Sequence, residues 1–419
     1  MPTPVIYQGD AIDLMAMVPE ARRSLDLNIF YATTRDRDSK VNGYADVVST
    51  DLRVGRAMVR FGDAQNTWDA LGVDCAVEKR AKPVILSLAG VEESATFPDA
   101  GIEWPSTQLD ERQRGWFDAI NAELDASPTH DIIVYVHGAK VNFYNGCVFA
   151  GEVDHFLGRR LVPVAFCWPT HQDIFSYIGG EDIGRGQQAA YALAGMLQQL
   201  ADHTTARRIH IICWSAGGRV TSKALVLLRE AYPYLDPGQL QARFRLGTVA
   251  FAAADVEVAR FLNRIRWIDE ITRRVIVTIT DSDEALTMSR LTMGGDERIG
   301  VWRADSEDER QVMLSTEAVE VIDVSYLGAA RGFDIDGHRY WFQHPWASSD
   351  LMMAILFDLP AAERGLAPGP LPFVWGMPPD YPQRVRSIVA PLANGRSAGQ
   401  GSADSPARVT PDMAPAAGS

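Results

Sequence analysis

The sequence is poor in cysteine, has fewer basic than acidic residues and contains no long apolar run. Its four cysteines, Cys75, Cys147, Cys167 and Cys213, form no closely spaced pair, which excludes a disulfide framework and the usual zinc or redox motifs. Its 40 Lys and Arg residues against 54 Asp and Glu residues give a formal net charge of −14 over 419 residues. This balance argues against a nucleic-acid or anionic-membrane partner, because phosphate binding needs clustered positive charge.

Two further absences bear on location. No run of about 18 apolar residues is present, so no transmembrane helix is expected. The first residues, MPTPVIYQGDAIDLM, lack a basic region followed by an apolar run, so no secretory signal is expected. The sequence therefore predicts a cytoplasmic protein.

What is present is an ordinary globular composition, with 47% hydrophobic and 22% charged residues. The exception is the C-terminal segment 391–419, which is rich in Gly, Ser, Ala and Pro and has no aromatic residue, Ile or Leu from Asn394 onward. Such a segment cannot bury enough apolar surface to offset its chain entropy, so we expect a disordered tail.

Between residues 131 and 360, short β-branched runs alternate with segments of helical periodicity. The runs are Ile132–Val136, Val162–Phe166, Ile209–Cys213, Leu246–Phe251, Val275–Ile279 and Val319–Val324, and the clearest helical segments are Gly186–Leu200, Gly217–Ala231 and Asp255–Ile265. Near-continuous apolar strands separated by helices are typical of a parallel sheet covered on both faces. The pattern predicts a mostly parallel, doubly wound α/β sheet.

Residues 25–130 are less regular and are expected to form an N-terminal extension at one edge of this sheet. Candidate strands are Leu27–Thr33, Ala57–Phe61 and Val84–Leu88, and Gln108–Leu124 has the pattern of an amphipathic helix. No Pro- or Gly-rich linker separates this region from the core. This favours one domain over residues 25–390, preceded by a short segment, 1–24, rather than a separate N-terminal domain.

The segment IHIICWSAGGRV places Ser215 at a tight turn between a strand and a helix. The turn is similar to the G-x-S-x-G nucleophile elbow, in which the serine hydroxyl stands above the edge of the sheet. Gly217 matches the second glycine, whereas Cys213 replaces the first. The helix N-terminus would favour a developing oxyanion. A serine that only caps the helix has the same local pattern, so a nucleophile is distinguished from a cap by whether a base and an acid accompany the serine.

A nucleophilic serine needs a base and a carboxylate that orients the base, and on such sheets they follow in the order Ser, acid, His. The loop after Val275–Ile279 supplies Asp281 and Asp283, of which we favour Asp283. Asp255, after the preceding strand, is a further candidate for the acid.

Only two of the eight histidines, His338 and His344, follow the last predicted strand. We favour His338 as the base, because Gly337 before it frees the loop to bring the imidazole over the sheet edge. His344 precedes Pro345 and fits a capping or pocket role.

The strand Ile132–Val136 is followed by His137-Gly138-Ala139, where glycine allows a backbone N–H to turn toward a substrate oxygen. We expect the N–H groups of Ala139 and Ala216 to form an oxyanion hole and His137 to brace the loop. The segment Trp168–Arg185 is expected to form a lid or pocket wall. Candidate substrate contacts are Trp168, His171, Phe175 and Tyr177 in this segment and Trp214 beside the serine.

Several segments resemble, in the same order, a bacterial group of poorly characterised α/β-hydrolase-fold proteins. They are LNIFYATTRDRD, IIVYVHGAKVNF, AFCWPT followed by Tyr177 and Asp182, the elbow, AAADVEV, SDEALTMSR and GHRYWF, and they cover about residues 25–358. The resemblance implies an α/β-hydrolase fold with Ser215, Asp283 and His338 as the catalytic triad. The family elbow usually reads His-Ser-Met-Gly, so Trp214 and Ala216 are departures, and Trp214 would line the pocket or pack under the elbow.

Together these features predict an esterase- or lipase-like serine hydrolase that acts on a small-molecule carboxylic ester and needs no metal or organic cofactor. The same triad would serve thioester or amide hydrolysis or acyl transfer, since the pocket decides among them. Two non-enzymatic alternatives remain. One is a binding protein that keeps the fold but has lost turnover, and the other is an interaction module built on the N-terminal segment or the tail. The sequence leaves the acyl chain, the leaving group and the oligomeric state open.

Overall fold

The computed structural model describes residues 1–9, 12–38, 43–99, 108–172, 180–281, 283, 286, 290, 297–325 and 344–395. Its central feature is an eleven-stranded sheet in the order β10-β11-β9-β8-β7-β6-β4-β5-β1-β2-β3. The strands are β1 (Asp26–Asp38), β2 (Gly43–Phe61), β3 (Leu86–Phe97), β4 (Asp131–Val136), β5 (Val162–Cys167), β6 (Arg208–Trp214), β7 (Leu246–Ala252), β8 (Thr272–Ile279), β9 (Val319–Asp323), β10 (Ala367–Pro368) and β11 (Val374–Gly376).

Most of the sheet is parallel. Neighbouring strands run parallel from β11 to β1, whereas the β1–β2, β2–β3 and β10–β11 pairs at the two edges are antiparallel. Strands β4, β5 and β7 are buried along their whole length, as parallel strands are when helices cover both faces. The predicted doubly wound α/β sheet is confirmed.

Helices cover the two faces of the sheet and build a hydrophobic core on each. They are α1 (Leu14–Met17), α2 (Trp68–Ala76), α3 (Glu111–Asp125), α4 (Phe143–Phe156), α5 (Glu181–His203), α6 (Gly217–Ala231), α7 (Pro237–Phe244), α8 (Val258–Ile271), α9 (Glu307–Leu314), α10 (Pro345–Leu356) and α11 (Tyr381–Gly395). One core contains α3, α5, α6 and α8, and the other contains α4, α10 and α11. Strand β4 serves both, since Ile132 and Val134 face the first core while Ile133 and Tyr135 face the second. No helix within the described ranges is long and apolar enough to cross a membrane.

The N-terminal strands extend the sheet edge as predicted, but they are longer than their apolar runs. Strands β1 and β2 pair from Asp26 opposite Arg60 to Asp38 opposite Gly43, and β1 joins the core through parallel pairing with β5. An antiparallel ribbon with one solvated face needs no continuous apolar pattern, so its charged end carried no strand signal in the sequence.

Both ends of the described chain pack on the α4 face. Val5, Ile6 and Tyr7 are buried there, so residues 1–24 contribute to the same core as the rest. Helix α11 continues to Gly395, so the boundary of 391 for the disordered tail is wrong. The sequence pattern missed this helix, which buries Val385 and Val389, four residues apart on one face. The remainder of that predicted tail, 396–419, lies outside the described residues.

The strand order contains a topological switch point at β4. From β4 the chain proceeds to β5 on one side and then to β6 on the other. The connecting helices, α4 and α5, lie on opposite faces. Such a reversal opens a crevice at the carboxyl ends of the two strands. The loop after β4 and the turn at Ser215 after β6 meet at this crevice.

Candidate active site

Ser215 occupies the turn between β6 and α6 in a left-handed conformation, with φ of +53°. Its N–H donates to the Ala252 carbonyl at 3.0 Å, and its own carbonyl accepts from the N–H groups of Gly218 at 2.9 Å and Asp255 at 3.1 Å. A positive φ is costly for a residue with a side chain and persists only where the surroundings enforce it. The strained strand–turn–helix is the geometry of a nucleophile elbow.

Two glycines allow the elbow and the loop after β4 to touch. A Cβ added to Gly138 would lie 2.9 Å from the Cβ of Ser215, and one added to Gly217 would lie 2.5 Å from the Val136 carbonyl oxygen. Both distances are shorter than real Cβ contacts. The backbone at Gly138 therefore runs directly beside the serine.

The two expected oxyanion donors flank this contact. Ala139 follows Gly138 and is half-buried, and Ala216 is the N-cap residue of α6. Ala216 has no polar side chain that could satisfy the N–H groups of the first turn. Ala139 and Ala216 thus lie on either side of the contact between Gly138 and Ser215. This placement is compatible with donation from their backbone N–H groups to an oxygen atom of a substrate.

Hydrogen bonds fix the loop after β4 to the loop after β5. The Trp168 indole donates to the His137 carbonyl at 2.8 Å, and the Thr170 hydroxyl donates to the Val141 carbonyl at 2.9 Å. Arg35 in β1 spans both loops, donating to the carbonyls of Val141 at 2.7 Å and Trp168 at 2.8 Å. Arg35 is fully buried and also pairs with Asp46. These bonds hold the loop that carries Ala139 against the loop after β5 and against β1.

His137 is a bracing residue, in agreement with the expectation from sequence. Its Nδ1 donates to the Gly138 carbonyl at 2.8 Å, and its ring stacks on Trp168. Complete burial, and then the charge of Arg35, lower the pKa of His137 to about 3. A neutral imidazole that is a poor proton acceptor is unsuited to act as a general base.

The three candidate acids lie in different environments. Asp283 is buried, and its Oδ1 accepts from the Leu286 N–H at 3.0 Å. Asp281 is exposed. Asp255 is buried between two guanidinium groups, those of Arg298 at 2.8 Å and Arg219 at 3.1 Å. Asp255 thus serves a structural role in these ion pairs. Asp283 remains the best candidate for the carboxylate that would orient the base.

His338 and Tyr177, together with Phe175, lie outside the described residues. The competing histidine, His344, is the N-cap of α10, and its Nδ1 accepts from the Trp346 N–H at 3.2 Å. This agrees with the capping role considered for it.

The two tryptophans predicted to line a pocket are both buried. Trp168 borders a cleft that also contains Ala216. Trp214 belongs to the core on the α4 face, and its ring would contact a Cβ at Gly138. Trp214 therefore packs under the elbow.

Sequence reasoning missed one polar cluster at this edge. His171 Nδ1 donates to the buried Asp182 at 2.7 Å, and Arg185 donates to His171 Nε2 at 2.8 Å. Because the Nε2 lone pair is occupied, this histidine is a poor candidate for the base. The His and Asp are eleven residues apart on either side of a loop, and nothing in the pattern showed that they pair.

Within the described part of the chain, no group of three or more His, Cys, Asp or Glu side chains is arranged to hold a metal ion.

Comparisons with known proteins identify the family. The model of a family described as "Alpha/beta hydrolase of unknown function (DUF900)" matches residues 114–352, more than half of the chain. No curated protein matches the chain significantly by sequence.

Among solved structures, the chain is similar to an inhibited esterase B from Lactobacillus rhamnosis, with 12% identity, a TM-score of 0.23, and coverage of 46% of this chain and 55% of that chain. It thus spans about half the length of that protein. It is also similar to esterase Est22, with 10% identity, a TM-score of 0.26, and coverage of 92% of this chain and 85% of that chain. The matched family region contains strands β4 to β9 and the elbow, and the chain belongs to this alpha/beta hydrolase family of unknown function.

Proposed function

We propose that the protein is a serine hydrolase that cleaves carboxylic esters through an acyl-enzyme on Ser215. The observation that carries the proposal is the elbow itself: a serine with φ of +53° stands at a helix N-terminus, in contact with the glycine of the loop after β4. A serine that only caps a helix has no need of a strained backbone, because capping residues adopt extended conformations.

In the proposed mechanism, the Ser215 hydroxyl attacks the ester carbonyl while His338, oriented by Asp283, accepts the proton. The N–H groups of Ala139 and Ala216 donate to the oxyanion of the tetrahedral intermediate. The C–O bond to the alcohol then breaks, and His338 returns the proton to the leaving oxygen. Water, activated by the same histidine, attacks the acyl-enzyme and releases the acid and the free serine.

The test is hydrolysis of p-nitrophenyl esters of increasing acyl length by wild type and Ser215→Ala. We expect kcat/KM of the variant to fall by at least about a thousandfold, with an unchanged far-UV circular dichroism spectrum. Ser127→Ala is the matched control, since Ser127 precedes β4 at the opposite end of that strand. Near-full activity in Ser215→Ala would overturn the proposal, and a folded wild type inactive on every ester would favour a binding protein on this fold.

A further inference from the structure

A cleft lies directly beside the elbow, between α5, α6 and α8. Trp168 and Ala216 form its end nearest the serine. Its walls carry four basic side chains, Arg219, Lys223, Arg260 and Arg264. This concentration of positive charge contrasts with the net charge of −14 for the whole chain.

The acidic residues that line the cleft, and Asp255 beside it, are already engaged. Asp182 accepts from His171, and Glu257 pairs with Arg260. Asp255 holds Arg219, which donates to both its backbone carbonyl and its carboxylate. Two of the four basic residues are thus neutralised by neighbours.

Lys223 and Arg264 are different, because neither forms an ion pair with any carboxylate of the described residues. The Lys223 ammonium lies over the Tyr191 ring, 4.8 Å from its centroid, and Arg264 donates to the Ser222 hydroxyl at 2.8 Å. Both side chains are half-buried. The two cations repel each other, and the carboxylates of Glu230 and Glu257 act on them only from beyond ion-pair distance.

The protonation behaviour agrees with this geometry. Partial burial, and then the positive charge of Arg264, lower the pKa of Lys223. Burial, and then the charge of Arg260, lower the pKa of Arg264. Glu230 and Glu257 oppose these effects without cancelling them, so each cation is partly desolvated beside a basic neighbour, and a bound anion would stabilise its charged form.

From Ala216 at the elbow to Lys223 the rise along α6 is about 10 Å. We infer that the cleft binds an anionic group, a carboxylate or a phosphate, through Lys223 and Arg264, and that the esters cleaved at Ser215 carry this group on a chain long enough to reach them. This inference rests on the proposed function for its catalytic half, whereas anion binding stands independently.

The catalytic half is tested with two esters of equal chain length, p-nitrophenyl octanoate and mono-p-nitrophenyl suberate, which end in a methyl group and a carboxylate. The ratio of kcat/KM for suberate to that for octanoate is expected to fall about tenfold in Lys223→Gln and in Arg264→Gln, because each removes one charge-assisted contact. Arg266→Gln is the matched control, since Arg266 lies on the same helix but is exposed and outside the cleft. An equal ratio in Arg264→Gln and Arg266→Gln would overturn substrate selection by the cleft.

The binding half needs no turnover. Suberate and inorganic phosphate are titrated by calorimetry into Ser215→Ala and into Ser215→Ala/Arg264→Gln. We expect saturable, salt-sensitive binding that weakens about tenfold in the double variant, and the tighter ligand identifies the preferred anion. No binding of either anion to Ser215→Ala would overturn the anion site even if esters are hydrolysed. Binding without any ester turnover would instead remove the proposed function and leave the site.

Discussion

At the scale of single residues, Ser215 and its neighbours show how local strain is tolerated. A left-handed conformation costs a residue with a side chain on the order of 1–3 kcal/mol. Around Ser215 this cost is offset by three backbone hydrogen bonds and by Gly138 and Gly217, which leave room for the close approach of β4. The result is a serine held in the backbone conformation of a nucleophile elbow.

His137 gives the molecule a distinctive pH dependence of stability. Its pKa is about 3 in the folded protein and 6.5 in the reference state, so the unfolded chain takes up a proton first as the pH falls. The stabilisation is fully present above pH 6.5 and is lost as the pH falls from there toward 3. Between pH 7 and 5 this single group should remove about 2 kcal/mol of the free energy of unfolding.

We therefore expect the free energy of unfolding of His137→Asn to fall by about 2 kcal/mol less than that of wild type when the pH is lowered from 7 to 5. Urea unfolding at each pH measures this difference. Asparagine keeps a side-chain donor for the Gly138 carbonyl but does not titrate. Parallel pH profiles for the two proteins would show that His137 is not held neutral in the fold.

At the scale of elements, hydrogen bonds and one close backbone approach join the loops after β4, β5 and β6 into one unit. Trp168 bonds the second loop to the first, Gly138 brings the first against the elbow, and Arg35 ties the first two loops to β1. Arg35 thus holds two loops of the candidate site, although it lies about 100 residues before the first of them in sequence.

Arg35→Lys should weaken this unit. Lysine keeps the charge but cannot reach the several acceptors that the planar guanidinium serves, so we expect a loss of about 3 kcal/mol in the free energy of unfolding and at least about a tenfold fall in kcat/KM. The matched control is Arg37→Lys in the same strand, whose side chain is 45% exposed and pairs with Glu93 at 2.9 Å. That change should cost less than about 1 kcal/mol. Equal losses in the two variants would contradict the tying role of Arg35.

The parallel strands of the core could be predicted from sequence because burial on both faces leaves a continuous apolar run, as in β4 and β5. The length of β2 and the existence of α11 could not be predicted from the sequence. Strand β2 alternates irregularly between buried and exposed positions, and α11 combines a narrow apolar face with Pro391 inside the helix. Those signals are weak until the partners are known.

At the scale of the whole molecule, the site depends on the topological switch at β4. Ser215 and Gly138 are 77 positions apart in the chain, yet they touch because β4 and β6 are neighbours in the sheet. The elbow was predictable from its short motif, and so was the glycine loop. The cleft that contains Lys223 and Arg264 could not be predicted from the sequence, because these residues come from different helices that only tertiary packing brings together.

Reaction of the intact protein with a fluorophosphonate probe, followed by mass spectrometry of tryptic peptides, decides whether Ser215 is an activated nucleophile. Such a probe forms a stable adduct with a serine only when a base accepts its proton and donors stabilise the oxyanion. We predict one adduct on the intact protein, located on Ser215 and absent from Ser215→Ala. If the folded wild type forms no adduct, or if wild type and Ser215→Ala are labelled equally, Ser215 is not an activated nucleophile.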